Sequence, residues 1–199
     1  MIKNFFFFTA TILNWFKVLE NDSYKDVIIE SFRYLVNEKR VKIFAFVIMP
    51  NHYHTVWRIN KTIGPDEFQR DIQKFTSQTI LRKLKKEDPQ MHSNLYVGAK
   101  DRKFQLWERN PLSVPLFSQR VVEQKIIYIH NNPVSEKWML AEEPHKYKYS
   151  SASYYHTGID EFMNMSPLRG SMILTISFYR DIAPTGLLNS DEIGIELSL

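Results

Sequence analysis

The sequence predicts an α+β domain: an antiparallel sheet with helices packed mainly on one face. Three observations carry this. The elements run strand, helix, hairpin, helix, strand, helix, so helices alternate with antiparallel pairs. The nearly all-apolar run Val41–Ile48 is followed by Pro50-Asn51 and then by His52–Ile59, which reads as a central hairpin. The 199 residues are 44% hydrophobic and 14% aromatic, enough to build one core. In outline the expectation is ferredoxin-like.

Each element has a local reason. Residues 5–13 are rich in Phe, Thr and Ile and read as a strand. Ser23, with Asp26 three residues on, reads as a capping box for a helix over 23–38, with Ile28, Phe32 and Leu35 at helical spacing. Pro50 lacks the donor that a central strand needs, so Pro50-Asn51 is the turn. In the returning strand Tyr53, Thr55, Trp57 and Ile59 share the face under the helices. His52, His54, Val56 and Arg58 share the other, less covered face.

Gly64-Pro65-Asp66-Glu67 opens a second helix reaching about Lys86, with Pro in its first turn and acids at its positive end. Its apolar stripe is read as Phe68, Ile72, Phe75 and Thr79. Residues 87–101 read as a loop and 104–108 as a short strand. A third helix covers 118–131 and stops at Asn132-Pro133.

The composition excludes several classes. There is no cysteine, so disulfides, thiolate metal sites and cysteine nucleophiles are absent. The Phe5-Phe6-Phe7-Phe8 run has only Lys3 before it and no small-residue cleavage site after it, so it reads as a strand rather than a leader. No apolar run reaches the ~18 residues of a membrane span, and the expected compartment is a bacterial-type cytoplasm. No His-Glu-x-x-His is present, which excludes a common metalloprotease pattern. Net charge is +4, but residues 181–199 hold Asp181, Asp191, Glu192 and Glu196 and no Lys or Arg; this leaves +8 on residues 1–180. The expected organisation is one domain over 1–180 and an acidic tail over 181–199 that folds back over the basic body. A basic body suits a phosphate backbone.

Two segments carry candidate chemistry. His52 and His54, about 7 Å apart along a strand, point the same way and form a two-point clamp for a divalent metal. Taken alone, such a pair is equally at home as solvated or hydrogen-bonded histidines. On the third helix, Gln124, Tyr128 and Asn132 fall on one stripe amid apolar neighbours, while Val121, Val122, Ile126 and Ile129 face the core. The plain alternatives are a packed tyrosine and a helix-stopping asparagine.

Together the segments resemble a known family. Pro50-Asn51-His52-Tyr53-His54 is similar to the HUH motif of single-tyrosine transposases, two histidines around a hydrophobic residue. Tyr128-Ile129-His130-Asn131-Asn132-Pro133-Val134 is similar to their nucleophile helix, and Tyr149-Ser150-Ser151-Ala152 resembles a downstream segment. The nearest branch is the REP-associated tyrosine transposases, with the resemblance covering residues 3–156. It implies a DNA strand transferase and endonuclease that cuts single-stranded DNA beside a hairpin through a covalent 5′-phosphotyrosine. Tyr128 would be the nucleophile, with His52, His54 and Asn132 the ligands of Mg²⁺ or Mn²⁺; two imidazoles suit Mn²⁺ better. This branch tends to act as a monomer, while other relatives are dimers. The chain departs from the pattern at Asn132, where some relatives carry glutamine, and at Ser135-Glu136-Lys137, where Arg-Ala-Gly is frequent.

The expected DNA contacts are Arg58 beside the histidines and, on the second helix, Lys74, Thr76, Ser77, Arg82 and Lys83. Lys85 and Lys86 extend that basic face. Tyr147, Tyr149, Tyr154 and Tyr155 are candidates for stacking unpaired bases. The rival readings are a hairpin-DNA-binding protein that does not cut, and a phosphodiesterase that uses metal-activated water.

Overall fold

The computed structural model describes residues 3–60, 64–163 and 165–166. The acidic tail, and its expected return over the basic body, lie outside these residues.

Four strands form the main sheet, in the order β2 (Val41–Ile48), β3 (His52–Ile59), β1 (Phe5–Thr11), β6 (Leu112–Leu116), all antiparallel. The β2 and β3 boundaries agree with the sequence reading. Behind the sheet lie α1 (Asp22–Asn37) and α2 (Pro65–Glu87), which cover the Tyr53/Trp57 face. Phe32 of α1 meets Tyr53 edge-on at 5.7 Å, and Phe68 of α2 meets Trp57 at 4.8 Å. Phe8 of β1 stacks on Trp57 at 5.0 Å in the same layer. Burying rings of this size supplies most of the hydrophobic drive of a small domain.

Several expectations are corrected. The α1 cap is Asn21, whose Oδ1 accepts from Ser23 N at 2.9 Å, so Ser23 is the capped residue and not the cap. The buried ridge of α2 is Phe68, Ile72, Thr76, Ile80 and Leu84, one residue every four, while Phe75 is exposed. Residues 87–101 are not a loop: they form α3 (Pro89–Asn94) and β4 (Tyr96–Ala99), which pairs with β5 (Arg102–Phe104). Of the expected strand over 104–108, only Phe104 lies in a strand. Leu106 and Trp107 are instead buried on an extended path, where Trp107 bridges Ile12 of the β1 end. The fourth strand of the main sheet is β6, which the sequence reading missed. It holds Pro115, tolerable because β6 is an edge strand whose outer side needs no donor.

α4 (Gln119–Asn131) starts at Ser118, whose Oγ accepts from Val121 N at 3.3 Å. It packs on the opposite face of the sheet from α1 and α2, through Val122, Ile126 and Ile129; Val121 is partly exposed. The histidine face is therefore more covered than the hairpin pattern predicts. A segment around α5 (Ala152–Thr157) closes the free edge of β2: Ser150 bridges Val47, and Ser151 N donates to Phe46 O at 3.0 Å.

Candidate active site

The site forms where α4 crosses β3. His52 and His54 project from one face of the strand with ring centroids 4.7 Å apart, each only 6% exposed. The Tyr128 ring of α4 meets His54 edge-on at 5.5 Å. Phe7 of β1 floors the group, stacked on His54 at 5.3 Å and edge-on to Tyr128 at 6.0 Å.

Hydrogen bonds orient both histidines and set the tautomer of His52. Asn51 Nδ2 donates to the Trp15 carbonyl at 3.3 Å, which turns Oδ1 toward His52 Nδ1 at 2.7 Å. An amide oxygen only accepts, so His52 Nδ1 carries the proton and Nε2 keeps its lone pair. His54 Nδ1 lies 2.7 Å from Thr9 Oγ1, its cross-strand partner on β1. Burial pushes the His52 pKa down to about 4, with the nearby Lys137 charge acting in the same direction. Burial, then His52 and Lys125, hold His54 well below the usual histidine range. Both imidazoles are thus neutral at pH 7, the state a metal ligand requires.

Among the described residues no group of three or more His, Cys, Asp or Glu could hold a metal, so a third ligand from these residues would be of another side-chain type. Asn132, at the α4 C-terminus and one turn beyond Tyr128, is suited to that place. Its Oδ1 is buried and has no hydrogen-bond partner. An orphaned buried oxygen of this kind is costly unless something else binds it. Two imidazole nitrogens and one amide oxygen are a donor set that fits a borderline divalent cation. Burial raises the Tyr128 pKa, and the Asn132 side chain beside the phenol oxygen opposes that rise.

Sequence reasoning missed four contributors. Lys125 lies one helical turn before Tyr128, its Nζ 4.9 Å from the Phe7 ring centre and 5.5 Å from that of Tyr128. It forms no ion pair with a described carboxylate, and its i, i+3 spacing from Tyr128 was the available signal. Asn51, adjacent to His52, orients that ring. His130 is fully buried, and its Nε2 lies 2.7 Å from Ser151 Oγ, which also accepts from Phe46 N at 2.9 Å. This pair ties the end of α4 to β2 and holds Tyr128 in position.

The expected DNA contacts do not assemble here. Arg58 shares the histidine face but lies six residues from His52, roughly 20 Å along the strand, with its guanidinium over Phe5. Thr76 is buried: its hydroxyl donates to Ile72 O at 2.8 Å and accepts from Trp107 Nε1 at 3.0 Å, so it reaches no ligand. Lys74, Ser77, Arg82 and Lys83 sit on α2, in the layer behind the sheet, and Lys83 Nζ lies 3.7 Å from Glu87. Tyr147, Tyr149 and Tyr155 are buried; their hydroxyls donate to Ile48 O, Asp26 Oδ1 and Phe44 O. Tyr154 packs edge-on against Tyr155. These rings are packing, not a stacking surface.

The antiparallel α+β sheet thus carries a histidine pair on β3, faced by Tyr128 on the crossing helix α4. The family model for "Transposase IS200 like" matches residues 10–109, and the chain belongs to this family, whose members process DNA in transposition. The match includes both histidines and stops before Tyr128. Among solved structures, the chain is similar to a REP-associated tyrosine transposase bound to a REP hairpin, at 18% identity and TM-score 0.54. That alignment covers 81% of this chain and 85% of the other. It is also similar to a protein from Deinococcus radiodurans R1 described as a transposase, at 15% identity and TM-score 0.43, covering 66% and 92%. No curated protein matches the chain. Among the described residues no helix is long and apolar enough to cross a membrane.

Proposed function

We propose that this protein is a divalent-metal-dependent transposase that cleaves and rejoins single-stranded DNA beside hairpins, with Tyr128 as the nucleophile. The observation that supports it most is the meeting of Tyr128 with His54, residues 74 positions apart in sequence (128 − 54) whose rings lie 5.5 Å apart. A hairpin as the DNA partner is supported by the similar solved transposase, which is bound to one.

His52 Nε2, His54 Nε2 and Asn132 Oδ1 would hold the ion. Once bound, the ion would neutralise charge on the scissile phosphate and orient it for in-line attack. The Tyr128 hydroxyl releases its proton to solvent as its oxygen bonds to phosphorus, the bond from phosphorus to the 3′ oxygen breaks, and that oxygen leaves as a hydroxyl after taking up a proton from solvent, with no net change in protons. The 5′-phosphotyrosine conserves the ester, so a 3′-OH reverses the step and rejoins strands without ATP. Burial disfavours the phenolate. The Lys125 cation and the Asn132 amide, both beside the ring, offset that cost as charge develops. The meeting of the histidines and the tyrosine within one chain supports a monomer as the acting form.

The test is a labelled hairpin with single-stranded flanks, incubated with Mn²⁺ or Mg²⁺ and separated under denaturing conditions. Wild-type protein should carry the label covalently, and Tyr128→Phe should lose it while keeping DNA affinity. An adduct that survives in Tyr128→Phe contradicts the nucleophile. Cleavage without any adduct favours metal-activated water, and binding without cleavage favours the non-cutting reading.

A further inference from the structure

Trp15 is 57% exposed, yet its backbone is held in the left-handed region, φ +57°, next to Asn14 at φ +53°. Two successive non-glycine residues in that region are uncommon, and a bulky side chain makes the second a true outlier. Such a conformation persists only where its surroundings impose it. Asn14 N donates to Glu108 Oε1 at 2.8 Å, Trp15 N donates to Ile12 O at 3.0 Å, and the Trp15 carbonyl accepts from Asn51 Nδ2 at 3.3 Å. None of these bonds uses the indole. The fold fixes the backbone and presents the ring to solvent.

The ring is presented at the site. It stands edge-on to His52, centroids 6.3 Å apart, and Lys137 Nζ lies 5.6 Å from its centre. The Lys137 charge also bears on His52. Among the described residues the other exposed aromatic side chains are Tyr34, Phe75, Tyr96 and Phe117, and none makes a ring contact with His52, His54 or Tyr128. Tyr34 and Phe75 line a groove of α1 and α2, behind the sheet. Lys137 belongs to the Ser135-Glu136-Lys137 stretch that departs from the family pattern, so a cation returns to the site from that departure.

The geometry points to Trp15 as a stacking platform for an unpaired nucleobase next to the phosphate held at His52 and His54, with Lys137 turning from the indole to that nucleotide's backbone. This rests on the DNA-processing reading above, but not on cleavage. An exposed indole offers a flat π-surface that accepts any base, and a neighbouring cation supplies the phosphate contact. Because the same Asn51 side chain holds the Trp15 carbonyl and His52 Nδ1, the platform and the histidine pair are fixed relative to each other.

The experiment measures binding in EDTA, where no cleavage intervenes. It compares a hairpin with single-stranded flanks, the same hairpin with abasic sites in the flanks, and a flankless hairpin. Trp15→Ala should weaken binding of the flanked hairpin about 5- to 100-fold. It should leave the flankless and abasic ligands unchanged, and Trp15→Phe should recover most of the loss. The thermal midpoint should not move, because the ring is exposed. Equal loss on all three ligands, or no loss on the flanked one, overturns the platform. Flank-selective loss in a protein whose wild type forms no covalent adduct keeps the platform and overturns the cleavage reading. Adduct formation with no flank selectivity does the reverse. Binding to none of the three ligands overturns both.

Discussion

The two faces of β3 use the same strand for opposite ends. Tyr53 and Trp57 point into a dry aromatic layer with Phe8, Phe32 and Phe68, and both are fully buried. His52 and His54 point the other way, and each ring is oriented by a hydrogen bond on Nδ1. On the packing face Tyr53 Oη, Thr55 Oγ1 and Trp57 Nε1 lack partners, scattered along the strand. On the histidine side Asn132 Oδ1 lacks a partner too, on a side chain that lies beside the Tyr128 phenol, whose ring meets His54. An orphaned polar atom therefore signals function when it converges with other donors. Standing alone beside large rings, it reflects the demands of packing.

The largest effect should come from exchanging the roles of the faces. Trp57→Ala should cost about 3–5 kcal/mol of stability by leaving a cavity under α1 and α2. His54→Ala should cost only about 1 kcal/mol while abolishing metal-dependent cleavage. Urea denaturation of both variants, set beside adduct yield, checks the contrast. Loss of cleavage in proportion to lost stability in both would erase it.

Next comes the pH response of the histidine side. Burial pushes His130 down to about 3. Below the unfolded value of 6.5, the unfolded chain takes up a proton that the folded chain refuses, so stability is complete above that pH and falls as the pH drops toward 3. His130 alone should account for about 2 kcal/mol lost between pH 7 and pH 5. His52, pushed down to about 4, and His54 add losses of the same sign. Urea midpoints at the two pH values should differ less in His130→Gln than in wild type; an equal difference would mean that His130 does not refuse the proton.

A smaller effect should follow from loosening the histidine orientation. Asn51→Ala frees the His52 ring and should weaken metal binding about 10- to 100-fold. Calorimetric titration with Mn²⁺ reads this directly.

How much was legible in the sequence follows from the same contrast. The boundaries of β2 and β3 and the stop of α4 were readable, because a twofold pattern, a Pro-Asn turn, Ser118 and Pro133 act locally. β6 was not, because five residues containing a proline resemble a loop until β1 supplies its partner. The α2 face was misread at Thr76, since a threonine whose hydroxyl is satisfied by its own helix and by Trp107 belongs in a core. The HUH-like histidines and Tyr128 were readable as motifs, and their proximity was not. Asn51, Lys125 and Trp15 acquire their places only from tertiary contacts. That the basic residues of α2 lie behind the sheet, away from the histidines, was not legible, because charge along a sequence says nothing about which side of a sheet it reaches.

The central claim is that β3 and α4 build one metal site beside one tyrosine. Mn²⁺ binding to wild type, His52→Ala, Asn132→Ala and Tyr128→Phe, followed by electron paramagnetic resonance, tests it most directly. The account predicts that His52→Ala abolishes the bound signal, that Asn132→Ala weakens affinity at least about tenfold, and that Tyr128→Phe leaves it unchanged. Undiminished Mn²⁺ binding in both His52→Ala and Asn132→Ala would contradict it.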